Sequence, residues 1–588
     1  QCLVGSEMCI RDRRNVKTKD HSSMSETSLP WLKHYPEGFP AEINPDRFAS
    51  IPALFDTVAE TYGDHPAFIC MDKVLTYREI CDLSKDFAGY LQSLPGMKPG
   101  DRVAIMMPNL QQYIITLLGI LRAGMIAVNV NPLYTSHELG HQLADSGAKA
   151  IVIIENFAKT LQNTLSETPV KHIVTTKVGD MLPWLKRTAA DFVVRYVKKM
   201  VPEFNLPGHV NFRKALSIGH SKGFKPFELK NTDVALLQYT GGTTGVAKGA
   251  MLTHRNVLAN VEQTGTWISQ TFEMGKEVAM TALPLYHIFS FTATLCFSKF
   301  AATQVMVPNP RDIPGLVELI KKWDFSIIPG VNTLFNALVN NKEFKNHKFT
   351  RLKMTVGGGA QVQRTVAEKW YNATGCHILE AYGLTETSPG VCGNLPDAPW
   401  DGSVGYPLPS TLVSIRGEQF ADLGVCSDPE KVAEHTGEIC VKGPQVMAGY
   451  WEKPEETANV LIDGWLRTGD VGFMDERGTI TITDRKKDLI IVNGLNVYPN
   501  EIESVIASMP GVLECGVVGV NNPRVGEMVK AVIVKKDPAL TRDDVVKYCR
   551  ARLTGYKCPR TIVFVKALPK TAVGKILRRN LRDMKETD

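Results

Sequence analysis

Residues 239–249, YTGGTTGVAKG, form the densest group of potential anion-binding residues in the chain. Glycines let backbone N–H groups turn toward a ligand, threonine hydroxyls add donors, and Lys248 adds a positive charge. The stretch follows the apolar run VALLQY, which favours a buried strand, and it does not fit the GxxxxGK[ST] pattern of a Walker A loop. It therefore predicts a polyphosphate-binding loop of another kind. The candidate ligands are Thr240, Gly241, Gly242, Thr243, Thr244, Gly245 and Lys248.

Four further motifs follow this loop in order: YGLTE at 382–386, GWLRTGD at 464–470, DRKKD at 484–488 and PKTAVGK at 569–575. Together the five motifs resemble those of the adenylate-forming superfamily, which contains acyl- and aryl-CoA ligases, luciferases and peptide-synthetase adenylation domains. The likeness runs from about residue 31 to the C-terminus. Within the superfamily the chain looks most similar to bacterial long-chain fatty acid–CoA ligases. The supporting stretches are NVNPLYTSHEL, PGVNTLFNAL, VKGPQVMAGYW, NVYPNEIE and LTGYKCPR.

The resemblance implies a reaction in which a carboxylate attacks the α-phosphorus of ATP and CoA then attacks the acyl-adenylate. The two anions repel each other, so the first step needs cations and aimed donors. The resemblance assigns Mg²⁺ to Glu386, the α-phosphate to Thr385, and the joint binding of carboxylate and α-phosphate to Lys575. It assigns the ribose hydroxyls to Asp470 with Arg485. It places Glu380, Ala381 and Tyr382 along the adenine.

The resemblance also implies an acyl site, a CoA channel and a hinge. His287 would gate the acyl site, although a buried, hydrogen-bonded histidine is nearly as good an interpretation. The acyl tunnel would be lined by Val331, Gly357, Gly358 and Gly359. Gly494 would approach the CoA thiol, and Lys487 would be the pivot of a mobile cap. Asn493 and Leu495 depart from the serine and phenylalanine expected beside Gly494.

Residues 137–141, HELGH, match the HExxH pattern of zinc proteases and would place both histidines on one helix face. No third ligand follows in the expected pattern. The ligase resemblance puts this segment on an ordinary surface helix. A coincidental match is therefore the favoured interpretation, and a zinc protease is the distant alternative.

The elements that must position these residues alternate between helix and strand. Helices are predicted over 54–62, 77–91 and 137–145, and a helix through Leu117 lies between strands VAIMM and AVNV. Strands are also predicted at 67–70 and 150–154. Continuous apolar strands that alternate with helices predict a parallel sheet covered on both faces. The fold class is therefore α/β, with a large N-terminal body of layered subdomains.

A different pattern begins near residue 484. A helix that starts at Pro499, strands VVGV and KAVIVKK, and a helix capped by Thr541 predict a compact α+β unit of about 100 residues. We expect an N-terminal adenylation body over 24–484 and a mobile C-terminal cap over 485–588. Residues 1–23 have no signal-peptide core and look like a non-native or disordered extension, with Met24 as the natural start.

Bulk properties limit the remaining classes of function. A net charge of +6 over 588 residues does not indicate a nucleic-acid partner. Twelve scattered cysteines without a CxxC pair indicate reduced thiols and a cytoplasmic protein. The longest apolar runs, 113–130 and 281–307, are interrupted by Arg122 and Pro284 and predict no membrane span.

Residues 191–201, DFVVRYVKKMV, form a basic amphipathic stretch. Such a stretch can rest on the cytoplasmic face of the inner membrane, but a surface helix with a solvated face is the favoured interpretation. A homodimer is compatible with the sequence.

The resemblance implies a long-chain fatty acid–CoA ligase with fatty acid, ATP and CoA as substrates and Mg²⁺ as cofactor. The alternative is an acyl- or aryl-CoA ligase for another chain length or substrate class. A non-enzymatic lipid-binding protein would require broken site motifs, and these are intact. A peptide-synthetase module would normally precede a carrier domain, and the chain ends at Asp588 without one.

Overall fold

The computed structural model describes residues 29–240, 247–492, 495–522, 526–571 and 574–586. The expected extension at 1–23 lies outside the described residues. So do Gly494 and five of the predicted loop ligands, Gly241, Gly242, Thr243, Thr244 and Gly245.

The strands, in chain order, are β1 (Pro66–Cys70), β2 (Lys73–Thr76), β3 (Arg102–Met106), β4 (Ile126–Asn129), β5 (Ala148–Ile154), β6 (His172–Thr176), β7 (Val210–Asn211), β8 (Val234–Thr240), β9 (Lys248–Thr253), β10 (Val278–Thr281), β11 (Thr303–Met306), β12 (Ile327–Gly330), β13 (Met354–Gly358), β14 (Ile378–Gly383), β15 (Gly390–Gly393), β16 (Tyr406–Pro407), β17 (Leu412–Arg416), β18 (Gly437–Lys442), β19 (Gly449–Tyr450), β20 (Leu461–Ile462), β21 (Trp465–Met474), β22 (Ile480–Arg485), β23 (Ile490–Val492), β24 (Leu495–Val497), β25 (Val512–Asn522), β26 (Gly526–Lys535) and β27 (Thr561–Val565).

The α-helices are α1 (Ile51–Tyr62), α2 (Tyr77–Ser93), α3 (Gln111–Arg122), α4 (Ser136–Ser146), α5 (Ala158–Gln162), α6 (Trp184–Phe192), α7 (Phe212–Lys222), α8 (His254–Ile268), α9 (Ile288–Lys299), α10 (Ile313–Lys322), α11 (Asn332–Asn340), α12 (Lys342–Lys345), α13 (Arg364–Thr374), α14 (Pro454–Val460), α15 (Pro499–Ala507), α16 (Arg542–Arg550) and α17 (Arg578–Leu581).

Two large mixed sheets form the body. One has the order β19-β9-β8-β4-β3-β5-β6-β7, and its strands from β8 to β7 are parallel. The other has the order β16-β15-β14-β13-β12-β10-β11-β1-β2, with parallel strands from β14 to β1. Every residue of α3 is buried, as expected for a helix enclosed by protein on all sides. The predicted α/β class with parallel sheets is confirmed.

Two smaller sheets complete the chain. Strands β17, β18, β21, β20 and β22 form an antiparallel sheet that ends the body. Strands β23 to β27 form a separate sheet in the last hundred residues, with its own hydrophobic core. Thr541 caps α16 through a reciprocal bond with Asp544, as the sequence predicted. The C-terminal unit is therefore an α+β unit with a core of its own.

The predicted element order is confirmed along most of the body. The run 113–130 divides into α3, a turn at Gly124 with φ +72°, and β4. The run 281–307 divides into the end of β10, then α9 and β11. In the described ranges, no helix is both long and apolar enough to cross a bilayer. Cysteines 70 to 558 all carry free thiols in this part of the chain.

Candidate active site

The predicted site residues surround one cavity of about 1870 Å³ between the body and the C-terminal unit. They come from segments that are far apart in sequence, and several lie at or just after the carboxyl ends of β8 and β14. The predicted residues that line the cavity are Thr240, Lys248, His287, Gly358, Gly359, Glu380, Ala381, Tyr382, Thr385, Glu386, Asp470, Arg485, Lys487 and Lys575.

Asp470 is held from both sides by neighbouring side chains. The Tyr382 hydroxyl donates to Asp470 Oδ2 at 2.8 Å, and Arg485 Nε lies 2.8 Å from Asp470 Oδ1. Asp470 and Arg485 face each other directly across strands β21 and β22, so the sheet register fixes the pair. Burial and the nearby Asp470 charge raise the pKa of Tyr382, which keeps the hydroxyl as a donor. The carboxylate is therefore oriented as a rigid acceptor that can receive ligand hydroxyls.

Lys575 lies in a tight loop of the C-terminal unit and reaches into the cavity. Its N–H donates to Thr571 Oγ1 at 3.1 Å, and its carbonyl accepts from the Thr571 N–H at 2.7 Å. Desolvation and the nearby Arg485 charge lower the pKa of Lys575 to about 8, although Asp470 and Glu386 oppose the shift. The ammonium is thus within electrostatic range of groups on three separate segments.

Two glycines let the Lys575 loop approach the body. A Cβ on Gly359 would lie 3.3 Å from Lys575 Cε, and a Cβ on Gly574 would lie 2.4 Å from Thr333 Oγ1. Both glycines have positive φ, +75° and +83°, which side-chain-bearing residues rarely adopt. Thr333 Oγ1 also donates to the Gly574 carbonyl at 3.3 Å. Substitution of either glycine would push the lysine loop away from the body.

Glu386 lies in a short 3₁₀ turn, Thr385–Thr387, directly after β14. Its Oε1 accepts from the Tyr450 hydroxyl at 2.8 Å. Lys248 Nζ lies 5.3 Å from the centre of the Tyr450 ring and 3.9 Å from Glu456. Among the described residues, Glu386 has no basic partner within 4 Å. Its carboxylate is therefore positioned and still available for a cation.

The ends of the predicted phosphate loop meet at this point. Thr240 and Lys248 are directly paired in the β8–β9 hairpin, and both line the cavity. The roles of the residues between them stay predictions. Tyr450 was missed by the sequence argument, although it lies within the quoted stretch VKGPQVMAGYW. The contact that would have identified it joins residues 64 positions apart.

Glu380 is the buried acid of the segment predicted to line adenine. Its Oε1 accepts from the Val362 N–H at 2.8 Å, whereas its Oε2 has no hydrogen-bond partner in the described ranges. Burial raises the pKa of Glu380 to about 8, so the carboxyl is mainly protonated at neutral pH. A protonated Glu380 can donate a hydrogen bond, which an ionised carboxylate cannot.

An apolar arm of the cavity runs between α8, α9 and the larger sheet. Helix α8 contributes one face at four-residue spacing, and α9 contributes the facing side chains. The arm is lined by Thr264, Trp267, Ile268, Thr292, Ala293, Cys296, Phe297, Ile327, Met354, Val356 and Leu379. Along each helix these residues cover little more than one turn, roughly 6–8 Å of length. This arm can hold an extended hydrocarbon chain.

His287 lines the cavity and is the N-cap of α9, one of the helices that form this arm. Its Nδ1 accepts from the Phe289 N–H at 3.3 Å. Burial and the Lys575 charge lower the pKa of His287 to about 3, so the ring is neutral. The position suits a gate, and the gating role stays a prediction.

Two predicted acyl residues point elsewhere. A Cβ on Gly357 would meet Val362 and Ile378 in a separate hydrophobic core, so this position faces away from the cavity. Val331 is buried in that same core and touches the Lys575 loop, since a Cβ on Gly574 would lie 3.3 Å from it. Gly358 does lie at the cavity wall, against Phe289 and the Ala381 carbonyl. Close packing thus explains two of these small or apolar residues.

The HELGH segment lies on α4, and both histidines line the cavity mouth. Glu138 is committed to capping that helix, because its Oε2 accepts from the Thr135 N–H at 2.8 Å. In the part of the chain that the structure describes, no group of three potential ligands could hold a metal ion. Within those ranges these two histidines therefore have no third ligand of a zinc site.

Arg578 joins the end of the body to the C-terminal unit and was also missed. Its Nη1 lies 3.0 Å from Asp484 and 3.4 Å from Asp488, and its Nη2 lies 2.9 Å from Glu503. Asp484 is on the last strand of the body, whereas Glu503 is on α15. The guanidinium therefore fixes the orientation that places Lys575, three residues earlier, in the cavity. Lys487, the predicted pivot, lines the cavity beside this network.

Comparisons with known proteins agree with this geometry. The family described as "AMP-binding enzyme" matches residues 55–451, and "AMP-binding enzyme C-terminal domain" matches residues 501–575. Long-chain-fatty-acid–CoA ligases of Salmonella typhimurium and Haemophilus influenzae are 52% and 49% identical to the chain. Each alignment covers 94% of this chain and 98% of the relative.

Solved structures share the fold. ATP-bound MatB from Rhodopseudomonas palustris superposes with a TM-score of 0.77 at 27% identity, covering 91% of this chain and 98% of MatB. The anthranilate CoA ligase AuaEII in complex with anthranoyl-AMP superposes with a TM-score of 0.80 at 21% identity, covering 92% and 98%. The second likeness concerns the fold alone.

Proposed function

The chain belongs to the AMP-binding enzyme family, and from that premise we propose that it is a long-chain fatty acid–CoA ligase. It converts ATP, a fatty acid and CoA to acyl-CoA, AMP and pyrophosphate through an acyl-adenylate. One observation carries the proposal: Lys575, Asp470 and Glu386 meet in a single cavity that has an apolar arm. The high identity to curated ligases of this class supports the same substrate class.

In the first half-reaction a fatty-acid carboxylate oxygen attacks the α-phosphorus of ATP, and the bond to the β-phosphate breaks to release pyrophosphate. The Lys575 ammonium would lie between the carboxylate and the α-phosphate and stabilise the charge that develops there. Thr385 would donate to the same phosphate. Asp470, held by Tyr382 and Arg485, would accept the ribose hydroxyls. Glu380, Ala381 and Tyr382 would line the adenine.

Magnesium suits the polyphosphate end of this cavity. The ion is usually bound by one or two carboxylates together with phosphate oxygens and water. Glu386 has the required character, since one oxygen is fixed by Tyr450 and no basic side chain of the described ranges lies within 4 Å of it. When bound, the ion would neutralise phosphate charge, and Lys248 would add to that effect from the facing hairpin.

In the second half-reaction the CoA thiolate attacks the adenylate carbonyl carbon, and the bond to AMP breaks. We place the domain boundary at 484/485, with Lys487 as the pivot that turns the cap between the steps. Gly494 would then approach the thiol in place of Lys575. The ion-pair network of Arg578 supports a defined first orientation, in which the lysine lies in the cavity.

The acyl arm supports an apolar substrate. Its lining is formed mainly by aliphatic and aromatic side chains from α8, α9 and the larger sheet. Such a lining favours a hydrocarbon chain over a short polar acid because it offers few hydrogen bonds. An acyl- or aryl-CoA ligase for another substrate class is the second candidate.

The decisive experiment measures AMP release across fatty acids of increasing chain length, with and without CoA. We expect CoA-dependent turnover that is highest with long chains, and acyl-adenylate with pyrophosphate when CoA is left out. Highest turnover with short or aromatic acids would move the assignment to the second candidate. Absence of AMP release with every acid would refute the assignment as a ligase.

A further inference from the structure

The segment 184–200 presents an apolar surface to solvent. It comprises α6, a π-helical continuation at Val193–Val197, and the residues up to Met200, and neither helical part contains a buried residue. Of the sixteen large hydrophobic side chains exposed in the described ranges, seven lie here: Trp184, Leu185, Phe192, Val193, Tyr196, Val197 and Met200. An apolar cluster of this kind is uncommon on a monomeric soluble protein and marks an interaction site.

The segment is attached to the body by its charged side. Arg187, Asp191 and Arg195, spaced four residues apart, are half-buried. Arg195 pairs with Glu155, and Asp191 lies 3.6 Å from Lys177. A surface helix normally turns its apolar face inward. Here the polar face is inward, so the outward apolar face is a feature that the fold holds in place.

The backbone supports this orientation. A Cβ on Gly179 would lie 3.2 Å from Arg187 Cα, so the helix packs tightly on the preceding turn. At the other end, Asn156 Nδ2 donates to the Met200 carbonyl at 3.2 Å. The Phe192 and Tyr196 rings lie 5.4 Å apart and extend the apolar face beyond the end of α6. Both ends of the segment are therefore anchored.

Basic side chains flank the apolar face near both ends of the segment. Lys186, Lys198 and Lys199 are exposed and form no ion pair in the described ranges, and Arg187 is half-buried. Asp191, the sole acid between residues 184 and 200, already faces Lys177. The surface thus combines aromatic and aliphatic side chains with unneutralised positive charge.

We propose that segment 184–200 docks on an anionic phospholipid bilayer and lies in the plane of the interface. Trp and Tyr rings favour the headgroup region, aliphatic side chains can enter the acyl boundary, and lysines attract anionic headgroups. A protein partner would satisfy the apolar face without needing these flanking lysines. The docking also deepens the proposed ligase activity, because a bilayer holds long-chain fatty acids at high local concentration. This benefit to the reaction rests on the proposed function.

The test is flotation of the full chain with vesicles of phosphatidylcholine alone or mixed with phosphatidylglycerol. We expect the unmodified protein to float with the anionic vesicles. Trp184→Ser/Phe192→Ser/Tyr196→Ser should reduce binding about tenfold because it removes three interfacial rings. The matched control, Met274→Ser/Tyr371→Ser, removes apolar side chains that are exposed elsewhere and should bind normally.

A charge variant tests the second half of the proposal. Lys186→Glu/Lys198→Glu/Lys199→Glu should abolish the preference for anionic vesicles. Binding of the unmodified protein to these vesicles should weaken as the salt concentration rises. The control substitutes the same number of exposed lysines outside the segment: Lys171→Glu/Lys214→Glu/Lys222→Glu.

Three results would overturn the docking surface. They are no flotation of the unmodified protein, equal flotation of every variant, or a concentration-dependent dimer that the apolar variant loses in sedimentation velocity. A separate assay of AMP release with a soluble fatty acid distinguishes failure of the docking surface from failure of the ligase assignment. The apolar variant should retain this AMP-release activity, because its three side chains lie outside the cavity.

Discussion

Replacement of Lys575 by alanine should separate the two half-reactions. The lysine reaches the cavity from a loop whose shape is set by the Thr571 hydrogen bonds and by Gly574. Alanine keeps that backbone and removes the side chain beyond Cβ, including the ammonium. Because charge develops between carboxylate and α-phosphate only during adenylation, the lost contact is specific to that transition state.

The expected loss of adenylation rate can be given an order of magnitude. Removal of one aimed donor typically lowers the rate by a factor of about 10²–10³.

The substitution should not destabilise the fold. Desolvation lowers the pKa of Lys575 from 10.5 to about 8, so at neutral pH the charge favours the unfolded state, in which it is better solvated. This destabilisation is present below pH 8 and disappears as pH rises through 10.5. The variant should therefore melt at or above the temperature of the unmodified enzyme at neutral pH.

Two assays isolate the steps. Pyrophosphate release with ATP and fatty acid reports adenylation, and thioester formation from supplied acyl-adenylate and CoA reports the second step. We expect the first to fall and the second to stay near its original rate. A folded variant that loses both steps equally would refute the two-orientation mechanism. Normal adenylation would show that Lys575 has no catalytic role.

The same residue predicts a pH dependence. The kcat/KM for ATP in adenylation reports the free enzyme, in which the ammonium is lost as pH rises through about 8. One unit above that pH, about a tenth of the enzyme retains the charge, so kcat/KM should fall about tenfold. The second half-reaction should lack this alkaline limb, and so should residual adenylation by Lys575→Ala. An alkaline limb that survives in the variant would assign the titration to another group.

Three further substitutions test neighbouring assignments. Glu386→Gln keeps shape but removes the charge expected to hold Mg²⁺, so adenylation should drop by several orders of magnitude; near-normal pyrophosphate release at low magnesium would contradict this role. Lys487→Pro fixes φ near −65° at the predicted pivot and should slow one half-reaction more than the other; equal effects on both would count against a pivot. Arg578→Lys keeps the charge but cannot bridge Asp484 and Glu503 with a planar fork, so adenylation should fall about tenfold while thioester formation changes less.

Local signals in the sequence predicted most of the elements. The capped helix at Thr541 and the division of 113–130 into helix, turn and strand follow from residue types within a few positions. The gathering of the motifs around one cavity agrees with the family resemblance. Apolar periodicity alone predicts where the strands lie in the sequence, but it does not predict which strand ends are neighbours in space.

The missed features depend on contacts between distant residues. Tyr450 reaches Glu386 across 64 positions, and Arg578 reaches Asp484 across 94. Gly357 faces a hydrophobic core and not the cavity, because a Cβ at this position would meet Val362 and Ile378. No local pattern encodes such contacts, because side-chain spacing describes only one element at a time. The outward apolar face of segment 184–200 was missed for the same reason, since an amphipathic pattern does not reveal which face the body covers.

The proposed role of Lys575 requires that the C-terminal unit can leave the body, and the contacts around this lysine are compatible with that movement. The approach relies on two glycines with positive φ and on the weak Thr333–Gly574 hydrogen bond at 3.3 Å. A second body–cap bond, from Asn336 Nδ2 to the Leu513 carbonyl, is longer still at 3.5 Å. Polar, sparsely bonded interfaces between domains permit relative motion, whereas a large apolar one would hold the units together. The strongest link, the Arg578 network, lies next to the predicted pivot, where rotation displaces atoms least. The chain thus places its tight contacts near the hinge and its loose contacts at the lysine, which is the arrangement that a cap with two working orientations requires.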